Sequence, residues 1–462
     1  MPRRQRTIAA VLAAVILAVL AIASGTRAAD PPAKPNILLI VADDLGWNDV
    51  GWHGSKIKTP RLDALVRAGV ELDRHYVQPV CTPTRAALLS GRYPSRFGPQ
   101  ALVPSNLRVL PPNTPTIASL LRGRGYETYL CGKWHLGSRF EWGPNRYGFG
   151  HSYGSLTGAA DPWTHQYRVG PYAKTWHRDE EMVEEEGNAT ELLAAQAVKW
   201  IEDKREPWFL YVPFTAVHIP IDTPPEYKRL YDGQTFHDEP ANDESFKRFA
   251  AFVSQLDAKV GQLIDALDRT GQRDETLVVF TSDNGGLERG GNAYISEVAP
   301  TPVLSDNKPL RGQKATLYEG GIRVCAFANW PSQLKPGKLA APMHAVDWCP
   351  TLAGVAGVQV VEPLNWDGQD MWPAIAGSAL PHQPRTIYWA YNKASALLHD
   401  GWKLIEHSPR RIELFNVLSD PSETTDLAAS EPQKVAELQK LLATERKSDQ
   451  TELPADLRGL PK

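Results

Sequence analysis

The chain has 462 residues, of which 42% are hydrophobic and 22% are charged. This composition is typical of a globular protein with a large core, and it excludes a disordered chain, a collagen and a coiled-coil rod. Fifty Lys and Arg residues against 53 Asp and Glu residues give a formal net charge of -3, with no concentration of basic residues. We therefore expect neither DNA nor RNA as a partner.

The chain begins with a pattern that is typical of a secretion signal. Three arginines precede an apolar run over residues 8–22, and the small residues Thr26 and Ala28 stand where a signal peptidase reads the chain. The run is shorter than the roughly 20 apolar residues that span a bilayer. The sequence therefore predicts a cleaved signal peptide over residues 1–28 and no membrane span after cleavage; an uncleaved anchor is the alternative.

Over roughly the next 350 residues, apolar runs typical of buried strands alternate with segments of helical periodicity. Short apolar runs predict strands over residues 37–42, 126–131, 208–212, 277–281 and 324–328. Helical periodicity predicts helices over residues 60–68, 116–122, 190–203 and 246–267. Such alternation predicts an α/β fold in which helices sandwich a large, mostly parallel sheet.

The pattern changes after about residue 380, where shorter strands follow one another directly. These strands are predicted over residues 386–391, 395–398 and 402–406, and a helix is predicted over residues 432–445. We therefore expect a catalytic domain over residues 34–380 and a small antiparallel sheet plus helix over residues 381–446. The polar tail over residues 447–462 is predicted to be loosely held.

Polar side chains follow the predicted strands at the edge where an open parallel sheet binds its ligands. They include Asp43, Asp44, Lys133, His135, His218, Asp283 and Asn284. A solvated turn would explain one acidic pair, but a second acidic pair at another strand end favours a metal site. Three carboxylates and an amide suit a hard cation such as calcium or magnesium rather than zinc.

The segment Cys81-Thr82-Pro83-Thr84-Arg85 resembles the Cys-x-Pro-x-Arg signature of type I sulfatases. In that family the cysteine is oxidised after translation to formylglycine. The resemblance extends over residues 36–54, 89–92, 132–137, 283–286 and 309–323. Within it, residues 42–51 and 310–321 are similar to the arylsulfatase B, or N-acetylgalactosamine-4-sulfatase, branch.

This resemblance implies an alkaline phosphatase-like superfamily fold and the hydrolysis of sulfate esters, with a sulfated polysaccharide or oligosaccharide as the expected substrate. It also implies Ca²⁺ as cofactor and a formylglycine-generating maturation enzyme as partner. The implied metal ligands are Asp43, Asp44, Asp283, Asn284 and the modified Cys81.

The catalytic roles implied by the resemblance fall on five further residues. Arg85 stabilises the formylglycine hydrate, and Lys133 and Lys314 hold the sulfate oxygens. His135 contacts the hydrate, and His218 lies near the leaving oxygen. Protonation of the leaving group could come from His218 or Lys314, and both assignments stay open.

Physical chemistry independently favours a modified Cys81, because a soft thiolate is a poor partner for a hard cation among oxygen ligands. A hydrated aldehyde would offer one hydroxyl that binds the cation and attacks sulfur. Deprotonation of its second hydroxyl would expel sulfate and regenerate the aldehyde.

Two alternatives compete with this interpretation. A phosphatase or phosphodiesterase of the same superfamily would share the fold, and an unconverted Cys81 would leave a carbohydrate-binding protein without catalysis. The signal pattern, together with only four cysteines, favours a periplasmic or secreted enzyme of bacterial type. Trp163, which lies in a loop outside the resemblance, is our predicted sugar contact.

Overall fold

The structure is a computed structural model that describes residues 34–167, 171–203, 207–288, 305–361, 363–378, 384–408 and 410–460. The predicted signal peptide over residues 1–28 lies outside the described residues. No helix in the described ranges combines the length and the apolar composition that crossing a membrane requires.

Most of the described strands build one large sheet. The strands of the chain before residue 350 are β1 (Asn36–Ala42), β2 (Val70–Leu72), β3 (His75–Tyr76), β4 (Glu127–Lys133), β5 (His151–Ser155), β6 (Trp176–Arg178), β7 (Glu181–Met182), β8 (Trp208–Pro213), β9 (Thr276–Ser282), β10 (Ala326–Asn329), β11 (Gly337–Leu339) and β12 (Met343–His344). The order in the sheet is β11-β2-β10-β9-β1-β8-β4-β5-β6-β7, while β3 and β12 pair separately. The five central strands, β9 to β5, run parallel, and β10 is antiparallel to β9.

Helices cover both faces of this sheet. They are α1 (Pro60–Arg67), α2 (Cys81–Ser90), α3 (Ile117–Gly123), α4 (Ala189–Asp203), α5 (Pro225–Lys228), α6 (Pro240–Arg269), α7 (Glu319–Ile322), α8 (Trp348–Val355), α9 (Trp372–Ile375) and α10 (Pro432–Glu445). Alternate residues of β1 point to opposite layers, because successive strand side chains alternate. Leu39 packs in the layer with α2, α3 and α8, whereas Ile40 packs in the layer with α1, α4 and α6. The predicted fold class is confirmed.

A separate four-stranded antiparallel sheet follows near the carboxyl terminus. Its strands are β13 (Thr386–Tyr391), β14 (Ala394–His399), β15 (Trp402–Ser408) and β16 (Arg411–Asn416), in that order. One face of this sheet packs against Tyr76 and Leu317 of the catalytic domain. The other face packs against Leu438 and Leu442 of α10, in the same hydrophobic core as α2, α3 and α8. The sequence analysis did not predict β16.

The prediction of a loosely held tail is wrong for the part that the structure describes. Asp449 forms an ion pair with Arg96 at 2.6 Å, and the amide of Gln450 donates to the carbonyl of Ser95 at 2.8 Å. Leu457 is buried against two residues of the catalytic body. The apolar residues of this tail are too sparse to form the periodic pattern from which packing is predicted.

A buried ion cluster joins the small sheet to the loop that contains α7. The ammonium of Lys403 lies 2.9 Å from a carboxylate oxygen of Glu319 and 2.8 Å from one of Glu423, and all three side chains are inaccessible to solvent. The hydroxyl of Tyr76 donates to Glu319 at 3.0 Å. One ammonium therefore serves two carboxylates, so the cluster depends on Lys403.

Replacing Lys403 with Met should lower the free energy of unfolding by about 3–5 kcal/mol, because Glu423 loses its counterion and Glu319 keeps only Arg323 at 3.8 Å. Burial raises the pKa of Glu423 from 4.5 to about 7. A pKa that is raised in the folded state gives stability that is present at low pH and lost as the pH rises through it. The loss should therefore be greater at pH 8 than at pH 5, as measured by urea denaturation.

The matched control is Lys338→Met, because Lys338 forms ion pairs with Glu71 and Asp73 while its side chain is 53% exposed. This change should cost about 1 kcal/mol or less, as exposed ion pairs do. Equal losses from the two substitutions would contradict the role of the buried cluster.

Candidate active site

The central parallel strands deliver the predicted acidic residues to one edge of the sheet. Asp43 and Asp44 follow β1 directly, and Asp283 and Asn284 follow the neighbouring strand β9. Lys133 is the last residue of β4. The amide of Asp44 donates to a carboxylate oxygen of Asp283 at 3.2 Å, so the two strand ends are in direct contact. These positions bring the five residues together at one edge of the sheet.

Cys81 is the first residue of α2, which the sequence analysis did not assign as a helix. All ten residues of α2 are buried, so the helix lacks the polar face that helical periodicity needs. The first turn of a helix directs its free N–H groups outward and favours negative charge. Burial raises the pKa of the Cys81 thiol, so the unmodified side chain is a neutral thiol at pH 7.

Three buried carboxylates are each paired with a cation in this pocket. Lys133 lies 2.6 Å from Asp43, and Lys314 lies 2.6 Å from Asp44. The guanidinium of Arg85 donates to Asp283 at 2.7 Å. Arg85 also donates to the carbonyl of Lys133 at 2.7 Å. The arginine thus joins the residues that follow β9 to the end of β4.

The acidic side chains are close enough to share one cation. Ligand atoms of Asp43, Cys81 and Asp283 lie within 4.8 Å of one another, as do those of Asp43, Asp44 and His218. Among the described residues, Oδ1 of Asp43 and Oδ1 of Asn284 are buried oxygens without a hydrogen-bond partner. Two orphaned oxygens beside three carboxylates fit a hard, oxygen-preferring cation.

The two histidines lie in the same pocket and are held differently. His135 has a backbone φ of 56°, and its Nδ1 atom is buried without a hydrogen-bond partner among the described residues. Nδ1 of His218 lies 2.6 Å from the carbonyl oxygen of Ile219, while its Nε2 lies 3.7 Å from Asp44. Burial, with the positive charge of Lys314, lowers the pKa of His218 to about 3.

Sequence reasoning missed two residues that border the site. Gly158 faces His135 so closely that a Cβ atom there would overlap the imidazole ring. Tyr391, at the end of β13, interacts electrostatically with both Lys314 and Cys81. No motif surrounds either residue, and only the folded arrangement reveals them. Trp163 is 42% exposed, and its indole N–H donates to Asp222 at 3.0 Å.

Comparison with known proteins decides the family. The family model for sulfatases matches residues 35–358. Arylsulfatase J of Mus musculus is 32% identical over 89% of this chain and 75% of its own length. Arylsulfatase A of Homo sapiens is 34% identical over 80% of this chain and 73% of its own length.

The chain belongs to the sulfatase family. As a sulfatase it is a sulfuric ester hydrolase, which confirms the predicted enzyme class. The more specific similarity to the arylsulfatase B branch stays a prediction.

Solved structures agree with this family. Ps i-CgsB, solved in complex with k-i-k-neocarrahexaose, superposes with a TM-score of 0.81 at 32% identity, over 90% of this sulfatase and 94% of that chain. The phosphonate monoester hydrolase of Agrobacterium radiobacter superposes with a TM-score of 0.63 at 19% identity, over 91% of this chain and 98% of its own. The second likeness shows a shared fold alone.

Replacing Gly158 with Ala should lower kcat/KM for a small aryl sulfate by roughly a hundredfold, because the added methyl displaces the buried His135 ring by about 1 Å. The control is Gly123→Ala, since a Cβ at Gly123 meets no atom within 4 Å. Both variants are assayed for sulfate release, and their melting temperatures are compared. A folded Gly158→Ala sulfatase with wild-type turnover would show that the position of His135 is unimportant.

Proposed function

We propose that this sulfatase removes O-sulfate groups from a sulfated carbohydrate, using a formylglycine that a maturation enzyme forms from Cys81. One observation carries the proposal: the sulfur of Cys81 and carboxylate oxygens of Asp43 and Asp283 lie within 4.8 Å of one another in a buried pocket of hard oxygen donors. A neutral thiol has no favourable role as ligand or nucleophile in such a pocket. An oxygen nucleophile at the same position fits it.

The substrate class is supported by relatives and by one exposed aromatic residue. Ps i-CgsB was solved with a neocarrahexaose, and N-acetylgalactosamine-6-sulfatase of Mus musculus is 31% identical over 82% of this chain. The exposed ring of Trp163 offers an apolar face of the kind that covers a pyranose. We infer from these features that the sulfate is attached to a sugar.

Four residues are proposed to hold a divalent cation, calcium before magnesium. They are Asp43, Asp44, Asp283 and Asn284. A divalent cation would offset the repulsion between the three carboxylates and would accept the two orphaned oxygens. It would also withdraw charge from the sulfuryl oxygens during transfer.

The proposed nucleophile would supply covalent catalysis: one hydroxyl of the hydrated aldehyde attacks sulfur as the bond between sulfur and the sugar oxygen breaks, and the sugar leaves as an alcohol. Deprotonation of the other hydroxyl then re-forms the aldehyde and breaks the bond from its carbon to the sulfate oxygen, which releases sulfate. Arg85 orients this side chain by holding Asp283 and the end of β4 in place. Lys133 and Lys314 provide ammonium groups for the sulfate oxygens. His135 is proposed to contact the hydrate through its free Nδ1.

Protonation of the leaving oxygen is proposed to come from His218 or Lys314, because both lie beside Asp44 at the same side of the pocket. Export is also part of the proposal. It rests on the signal pattern of residues 1–28.

Replacing Cys81 with Ala should abolish sulfate release, with a loss of at least about a thousandfold in kcat, because the nucleophile is removed. Cys81→Ser should lose activity similarly in a host that converts only cysteine. The control is Cys349→Ala, which removes a buried thiol in α8 without touching the pocket. Mass spectrometry of the peptide containing residue 81 measures conversion, and wild-type turnover by a folded Cys81→Ala protein would exclude the formylglycine mechanism.

Removal of divalent cations should lower both the melting temperature and sulfate release, and calcium should restore both. A cation that binds only the folded chain adds about 2.7 kcal/mol of stability at a hundred times its Kd. Asn284→Leu removes one orphaned oxygen and should weaken the calcium-induced rise in melting temperature. Full activity in a preparation that elemental analysis finds free of calcium and magnesium would contradict the metal assignment.

A further inference from the structure

A second pocket lies beside the catalytic site, between the large sheet system and the small carboxyl-terminal sheet. Residues 315–318 form one wall, and Tyr391 and Asn392 at the β13–β14 turn form another. His407 and Arg411, from β15 and β16, complete it. Its volume is about 350 Å³, which falls at the lower end of the range for small-ligand sites. We call it the hairpin pocket.

The hairpin pocket is attached directly to the catalytic residues. Its wall begins at Ala315, the residue after Lys314, and the amide of Ala315 donates to the carbonyl of Pro79 at 2.8 Å, two residues before Cys81. The pocket wall therefore begins one residue after a proposed sulfate-binding lysine and is hydrogen-bonded to the segment that precedes Cys81.

The β13 strand leads to the same place from the other side. The indole N–H of Trp389 donates to the carbonyl of Val77 at 2.7 Å. Tyr391 lies two residues after Trp389 in β13. Its side chain therefore projects from the same face of the sheet as that of Trp389, about 7 Å further along the strand. The half-buried Tyr391 ring packs against the cluster that contains Leu317, which brings it beside the start of the pocket wall.

The charge of the hairpin pocket is positive. None of its described lining residues is acidic. The nearest carboxylate, Glu413, accepts from Tyr318 at 2.6 Å and lies 2.6 Å from Nε2 of His407. Arg311 lies 3.7 Å from the other oxygen of Glu413. The charge of Glu413 is therefore offset by Arg311, and its other oxygen is engaged by Tyr318 and His407.

Arg411 remains available to a ligand. Its guanidinium forms no ion pair with any residue in the described ranges, and the residue is exposed at the pocket wall. Lys393, exposed at the turn, is next in sequence to the lining residue Asn392. An arginine presents several N–H donors in a fixed plane, which suits the paired oxygens of a sulfate or a carboxylate.

We propose that the hairpin pocket binds a second anionic group of the substrate, a sulfate or a carboxylate on a sugar next to the one that loses its sulfate, through Arg411. The inference rests on the sulfated-carbohydrate function proposed above. It assigns to the carboxyl-terminal sheet a role in choosing multiply charged glycans over singly charged ones.

Binding is measured first, in the full chain with Cys81→Ala, so that no turnover occurs. The probes are three oligosaccharides of equal length that carry one sulfate, two sulfates, or one sulfate and one carboxylate. Isothermal titration calorimetry should show roughly tenfold tighter binding of the probes with two anions. The two doubly charged probes distinguish sulfate from carboxylate as the preferred second anion.

Arg411→Gln, added to the same background, should reduce this tenfold preference to about twofold or less. The matched control is Arg410→Gln, because Arg410 is an exposed arginine next in sequence that does not line the pocket. It should retain the preference. The proposal is wrong if the two substitutions have equal effects or if the doubly charged probes bind no tighter than the singly charged one.

Sulfate release by the wild-type enzyme is then assayed with the same probes. Release without a preference for the second anion overturns the hairpin-pocket assignment and leaves the sulfatase mechanism intact. Tight, Arg411-dependent binding without any release contradicts the proposed catalysis and still supports the pocket as an anion site.

Discussion

Three carboxylates buried within a few ångströms of one another are the constraint on which the catalytic pocket depends. Asp43, Asp44 and Asp283 would repel one another strongly in a dry interior, because Coulomb interactions there are weakly screened. Each is paired with a cation from a different part of the chain. The same pairing places the cationic groups of Lys133, Lys314 and Arg85 in the pocket where the proposed mechanism needs positive charge, so the contacts that balance the buried charges are also the ones proposed for the chemistry.

The small carboxyl-terminal sheet is tied to this pocket at several points. Lys403 joins it to Glu319 in the loop after Lys314, and Trp389 joins it to the segment just before Cys81. Both contacts hold chain segments next to Lys314 and Cys81, which are proposed to be catalytic. A sheet that is separate in topology is therefore part of the support for the active site.

Much of this arrangement could be predicted because its signals are local. The central strands are apolar on both faces, and the residues after them are polar where an open sheet binds ligands. The start of α2 has no such signal, since its ten residues are all buried. Gly158 and Tyr391 reach the site only through long-range packing. The small sheet could be predicted, but its contact with the pocket could not.

The burial of α2 also sets an order of events in biosynthesis. Cys81 is 2% exposed, and Ala86, Ala87, Leu88 and Leu89 of the same helix pack in the main core. The proposed maturation enzyme would need access to this thiol, which the finished fold buries. Under the formylglycine proposal, conversion would therefore have to precede the closing of the core around α2. The rate of folding would then compete with the rate of maturation, and a faster-folding chain would yield more inactive protein.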